Sequence, residues 1–213
     1  MLRTVLVLGT ALLLATVAVA CGDSEETGTD AESAAGSTAS TTTEASTTET
    51  PDTGCGEIEA FDAEQSGTHF ETEFAAADYP TVPPTSGDHN PVPIEPGIYP
   101  SPPPLGELVH LLEHGGVIAW TNGLSAADQT AVERAVRAEV EKGYYQLAVV
   151  ENADLEVPLA LSSWDALQRC GTVDPAAIVS FVEERYAPST TAERQLACTG
   201  NAAKLPACAE LRG

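Results

Sequence analysis

Residues 105–121 read LGELVHLLEHGGVIAWT, and a change of period inside this stretch decides the fold. From Leu105 to His114 the apolar side chains recur at helical spacing, with Leu105, Leu108, Val109 and Leu112 on one stripe. Glu107, His110 and His114 share the opposite side, with Leu111 between them. Gly115-Gly116 then stops the helix, and the apolar run 117–121 (VIAWT) predicts a buried strand. A helix feeding directly into a buried strand calls for a layered domain, in which helices cover a sheet.

The chain downstream repeats the alternation. Ser125-Ala-Ala-Asp128 is a capping box that opens a helix to about Lys142, with Val132, Val136 and Val140 inward and Gly143 closing it. Residues 145–150 and 158–163 predict strands, separated by a turn-like stretch at 151–154. Asp174-Pro175 starts a last helix to about Tyr186, whose core face is Ile178, Val179, Val182 and Tyr186. The order α-β-α-β-β-α indicates one small α+β, or layered α/β, domain with a mixed sheet and packed helices. It also fits the later elements of a thioredoxin-like fold, but there is no C-x-x-C and redox chemistry does not follow.

Upstream, ten of the fifteen prolines fall between Tyr79 and Pro104, which excludes helix and interior strand there. Tyr79, Val82, Ile94, Ile98 and Tyr99 in the same stretch are apolar enough to be buried. An ordered loop is therefore expected, and long ordered loops are usually functional.

The first 54 residues are read as address and tether. Arg3 precedes an apolar run at 5–20 and then Cys21, the pattern of a secretory signal too short to span a bilayer comfortably. Ala18-Val19-Ala20 suits ordinary cleavage; followed by Cys21, it also resembles a bacterial lipobox, in which a lipid on Cys21 anchors the mature chain to the cell membrane. Residues 22–54 contain 15 Ser/Thr and 8 Asp/Glu with no Lys, Arg or aromatic, so no apolar face offsets the entropy of ordering them. They read as a disordered stalk, leaving 55–213 as the globular domain.

Across all 213 residues, 32 Asp+Glu face 9 Lys+Arg, a formal charge of −23. That excludes a nucleic-acid binder, whose affinity rests on clustered cations, and it favours cationic ligands. Beyond Cys21, four cysteines remain: Cys55, Cys170, Cys198 and Cys208. In an exported domain an even number implies two disulfides with three possible pairings. The closeness of Cys198 and Cys208 favours a local pair, which leaves Cys55 with Cys170; thiolate metal ligation, the alternative, lacks a C-x-x-C.

All four histidines, His69, His89, His110 and His114, lie within 46 consecutive residues. His110 and His114 are four apart on the expected helix, so their imidazoles project from one face and can chelate one ion. His89 follows a Ser86-Gly87-Asp88 turn and would supply a third imidazole; His69, Glu113 or Glu107 could fill a fourth position. Imidazole with carboxylate suits Zn, Cu(II) or Ni. The competing reading is a hydrogen-bonded network that organises the proline loop. His110-Leu-Leu-Glu113-His114 also spells H-x-x-E-H, which would make Glu113 the base of a metal-dependent hydrolase with Glu183 or Glu184 as a further ligand. An acyl-transfer site at Ser86 is weaker, because no G-x-S-x-G elbow is present.

Gly67-Thr-His69-Phe, Tyr79, the run 83–89 (PPTSGDH), Gly97-Ile-Tyr99 and the run 109–115 (VHLLEHG) followed by Val117-Ile-Ala-Trp120 resemble the bacterial family catalogued as domain of unknown function 3105. The resemblance spans about residues 55–188, leaving Cys198 and Cys208 outside. It implies an exported or membrane-anchored protein and directs attention to His69, His89, His110, Glu113 and His114. Asp88 stands where relatives often carry Pro, and either enlarges the ligand set or closes a turn. The functional expectation is an extracytoplasmic lipoprotein binding Zn or Cu; the alternatives are a hydrolase using Glu113, and a structural cell-envelope domain without a ligand.

Overall fold

The computed structural model describes residues 54–62, 67–191 and 193–212. The expected signal segment with Cys21 and nearly all of the expected stalk lie outside the described residues. The order of elements is β1 (Glu59–Ala60), β2 (Gly97–Tyr99), α1 (Leu105–Glu113), β3 (Val117–Thr121), α2 (Ala126–Lys142), β4 (Leu147–Glu151), β5 (Leu159–Ser163), β6 (Ala166–Cys170) and α3 (Pro175–Arg185), followed by short 3-10 turns. The fold is α+β: a mixed six-stranded sheet of order β1-β6-β5-β3-β4-β2 with helices packed on it.

β4 runs parallel to both β3 and β2, while β5 and β6 form an antiparallel hairpin beside β3. Strict alternation divides the sheet into two faces. Val117, Ala119, Leu147, Val149, Leu159 and Leu161 point to the side covered by α2 and α3. Ile118, Trp120, Ala148, Val150, Ala160 and Leu167 point to the side covered by α1 and the proline-rich loop. The central strands are thus buried on both faces, which explains why residues 117–121 read as a continuous apolar run.

Helix ends follow the local chemistry. Ser125 Oγ accepts the Asp128 amide at the start of α2, and Gly143 ends it in the left-handed region. Asp174 accepts the Ala176 amide ahead of Pro175 in α3. Four sequence expectations need correction. β6 was not anticipated, because Ala166-Leu-Gln-Arg-Cys170 is short and half polar; its pairing with β5 supplies the missing context. Leu111 is fully buried and His110 nearly so, so α1 has no solvated side: it is enclosed by the sheet below and the loop above. On α3, Phe181 is buried while Val179 is only half-buried. Val82 is exposed, and the neighbouring Pro83 and Pro84 take the interior position instead.

The proline-rich loop is held by hydrogen bonds within itself, such as Tyr79 Oη donating to the Asp88 carbonyl, and to α1, where the Glu107 and Gly106 carbonyls accept the Ile94 and Asn90 amides. Tyr79 and Ile94 join the α1-side core, and β2, the one strand drawn from this stretch, lies at the sheet edge where proline neighbours are tolerated. Cys55 and Cys170 are bonded, their sulfurs 2.04 Å apart, tying the start of the domain to the end of β6. Cys198 and Cys208 form a second disulfide in the tail. Two disulfides belong to an oxidising, extracytoplasmic environment. Among the described residues, no helix is long and apolar enough to cross a membrane.

Candidate metal centre

α1 carries His110 and Glu113 against the loop segments 67–70 and 87–90. Those two segments pair as a parallel bridge: the Phe70 amide donates to the His89 carbonyl at 2.8 Å, and the His89 amide to the Thr68 carbonyl at 3.1 Å. The approach is so close that a Cβ at Gly67 would lie 2.0 Å from the Gly87 carbonyl oxygen and 2.4 Å from His89 Nδ1. Only glycine fits there. Asp88 closes the turn, its Oδ1 accepting the Thr68 amide at 2.8 Å, and it is in neither donor group.

The result is a convergence of donors from three parts of the chain. His69, His89, His110 and Glu113 offer ligand atoms that all lie within 4.8 Å of one another. Glu113 Oε2 is 3.0 Å from His89 Nε2 and 3.6 Å from His69 Nε2. The rings of His69, His89 and His110 have centroids 4.6–4.8 Å apart. His89 is fully buried, with its ring edge-on to Trp164, whereas His69 is nearly half exposed and opens the cluster to solvent.

Backbone carbonyls fix two of the imidazoles. His89 Nδ1 lies 2.8 Å from the Gly87 oxygen, and His110 Nδ1 lies 2.7 Å from the Asn90 oxygen. A carbonyl only accepts, so both Nδ1 atoms carry hydrogen and both Nε2 atoms are left for a proton or a ligand. This is the outer-shell arrangement that orients metal-binding histidines. Asn90 is itself held by its side-chain amide, which donates to the Phe70 and Thr72 carbonyls.

The electrostatics follow from this enclosure. Glu113 is buried in the last turn of α1, where the helix dipole disfavours an anion. Burial alone would raise its pKa, but the hydrogen bond and charge of His89 outweigh that and hold it down. For His89, burial opposes the charge, yet the bonds to Glu113 and Gly87 raise its pKa above the ordinary value. His110 goes the other way: burial, then the neighbouring His114, push it down to about 4. His114 is also lowered, by burial against the pull of Glu193 and Glu113.

His114, expected to chelate with His110, ends α1 and turns to a residue the sequence reading did not single out. Its Nε2 is 3.0 Å from Glu193 Oε2, and His110, His114 and Glu193 form a second group within 4.8 Å. Glu193 gave no sequence signal, because it sits in an aperiodic tail that only the fold returns to α1. Ala187 donates its amide to the Gly115 carbonyl, and Thr191 Oγ1 donates to the Glu113 carbonyl. Glu183 and Glu184 do not reach the cluster: α3 packs on the opposite face of the sheet, where both are exposed and Glu183 pairs with Lys142. Glu107 is half-buried and is in neither donor group.

The family described as protein of unknown function (DUF3105) matches residues 71–200. The match covers more than half of the chain and runs past residue 188 into the tail. It includes His89, His110, Glu113, His114, Glu193 and Cys198, while His69 lies two residues ahead of it. No curated protein and no solved structure matches the chain significantly. The chain belongs to the DUF3105 family.

Proposed function

We propose that this domain binds one transition-metal ion, Zn or Cu, through His69, His89, His110 and Glu113, on an extracytoplasmic lipoprotein tethered by Cys21. The observation that carries the reading is the donor geometry. Tetrahedral zinc with bonds of about 2.0–2.1 Å needs donors roughly 3.3–3.4 Å apart. The His89–Glu113 and His69–Glu113 separations, 3.0 and 3.6 Å, bracket that spacing. The Nδ1 anchoring by Gly87 and Asn90 supports the same reading, since it directs Nε2 of His89 and His110 away from the backbone. A bound cation would also neutralise Glu113, which is buried at the wrong end of a helix dipole.

The hydrolase reading is less well supported. A general base has to stay off the ion and act on its bound water, whereas Glu113 is itself one of the donors that converge with His69, His89 and His110. A ligand-free structural domain would keep the same network as an ion pair between His89 and Glu113. The discriminating experiment is elemental analysis of purified full chain beside its His110→Ala and His89→Ala variants. The metal reading expects about one Zn or Cu per chain, strongly reduced in both variants. A metal-free wild type that cannot be reloaded would defeat it.

A further inference from the structure

We infer that the domain takes a second divalent cation beside the first, held by His110, His114 and Glu193. The inference rests on the metal-binding reading above and extends it. The six donors divide into two sets of the same composition, each with two imidazoles and one carboxylate. His69, His89 and Glu113 make the first set; His110, His114 and Glu193 make the second, with ligand atoms within 4.8 Å of one another.

His110 belongs to both groupings. Its Nδ1 is committed to the Asn90 carbonyl, and its Nε2 has one lone pair, so it serves one ion at a time. A first ion uses it as a fourth donor. A second ion draws it into the other set and leaves the first with two histidines and a glutamate, a set sufficient for zinc with water in the open position.

The second set is built from the fold. His110 and His114 stand one helical turn apart, with ring centroids 4.4 Å from each other. Glu193 is delivered by the tail, which lies against the end of α1 through the Ala187–Gly115 and Thr191–Glu113 hydrogen bonds. Gly115 permits that approach: its φ is +86°, and a Cβ there would meet the Ala187 Cα at 2.9 Å. The Cys198–Cys208 disulfide closes the tail just beyond. Both His114 and Glu193 retain solvent access, so an ion can enter.

The test is titration of the metal-free full chain with Cu(II), followed by calorimetry and by electron paramagnetic resonance. Two equivalents are expected, the second weaker by about tenfold or more. The second should broaden the signal of the first, because adjacent Cu(II) ions couple magnetically. His114→Ala and Glu193→Gln should each remove the second equivalent and keep the first, while Glu141→Gln, on the exposed surface of α2, should change neither. Saturation at one equivalent overturns the second site and leaves the single-ion reading standing. A second equivalent that survives both substitutions, or that leaves the first signal unbroadened, places that ion elsewhere and overturns the inference. No binding at all would defeat the single-ion reading as well.

Discussion

The two faces of one sheet are built on different principles. Under α2 and α3 the interior is mainly hydrocarbon: Val132, Val136, Ile178, Phe181 and Val182 meet the strands with no imidazole among them, and the buried Glu139 of α2 is paired with Lys142. Under α1 the same sheet and its β5–β6 turn carry Trp120, Leu167 and Trp164, but the outer side of the helix is capped by histidines and a buried glutamate rather than by water. One face is organised for burial. The other accepts the cost of enclosing a whole cluster of ionisable groups, which proteins tolerate when those groups are paired or hold a metal.

The comparison breaks most visibly at the staples. Removing Cys55–Cys170, which closes a separation of 115 residues, should cost about 5 kcal/mol on the chain-entropy estimate, and removing Cys198–Cys208, with a separation of 10, about 3 kcal/mol. Denaturant titration of the paired Cys→Ser variants checks both. Losing the tail disulfide should also loosen Glu193, whereas the Cys55–Cys170 variant, if folded, should keep its metal affinity.

Phe181→Ala tests the hydrocarbon face and should destabilise by about 3–5 kcal/mol, because the ring is fully buried. Its metal affinity should be unchanged. His110→Ala inverts that pattern. Zinc at a hundred times its wild-type dissociation constant should stabilise the wild type by about 2.7 kcal/mol and the variant by clearly less. Equal ligand effects in both variants would erase the distinction between the faces.

The pH dependence sharpens it further. His110 titrates near 4 when folded against an ordinary value of 6.5, so below 6.5 the unfolded chain takes up a proton that the folded one refuses. The metal-free wild type should therefore lose stability relative to His110→Gln as pH falls from about 6.5 to about 4. His89 has the opposite sign. Its raised pKa contributes stability that is fully present below 6.5 and lost as pH rises through the folded value. The depressed pKa of Glu113 contributes stability above its ordinary value, lost as pH falls through the folded one. Parallel stability curves for wild type and His110→Gln would contradict this placement of the imidazole. At the small end, Arg137→Ala, which removes an exposed pair with Glu133, should change stability by less than about 0.5 kcal/mol.

Much of the fold was legible because the deciding signals are local. The 3.6-residue period of α1, the Ser125 and Asp174 caps and the glycine stop at 143 all depend on neighbours in sequence. β6 was not legible, since Gln168 and Arg169 acquire a strand's character only through pairing with β5 and contacts to Gly56 and Glu59. The site divides the same way. Clustering in sequence pointed to the four histidines, and helix spacing joined His110 to His114. The spacing could not reveal that Glu113 faces His89 across the loop, because that depends on the close packing at Gly67. Nor could it reveal Glu193, 79 residues beyond His114.

The most direct test of the account is calorimetric titration of metal-free protein with Zn(II) and Cu(II) at neutral pH, repeated at pH 5. The account predicts saturable binding tighter than about 10 μM at neutral pH, weakened at pH 5 as protons compete for the imidazoles, and weaker by about tenfold or more in His110→Ala. Binding no tighter than that, or binding indifferent to His110, would leave the histidines as a hydrogen-bonded brace for the loop and contradict the central claim.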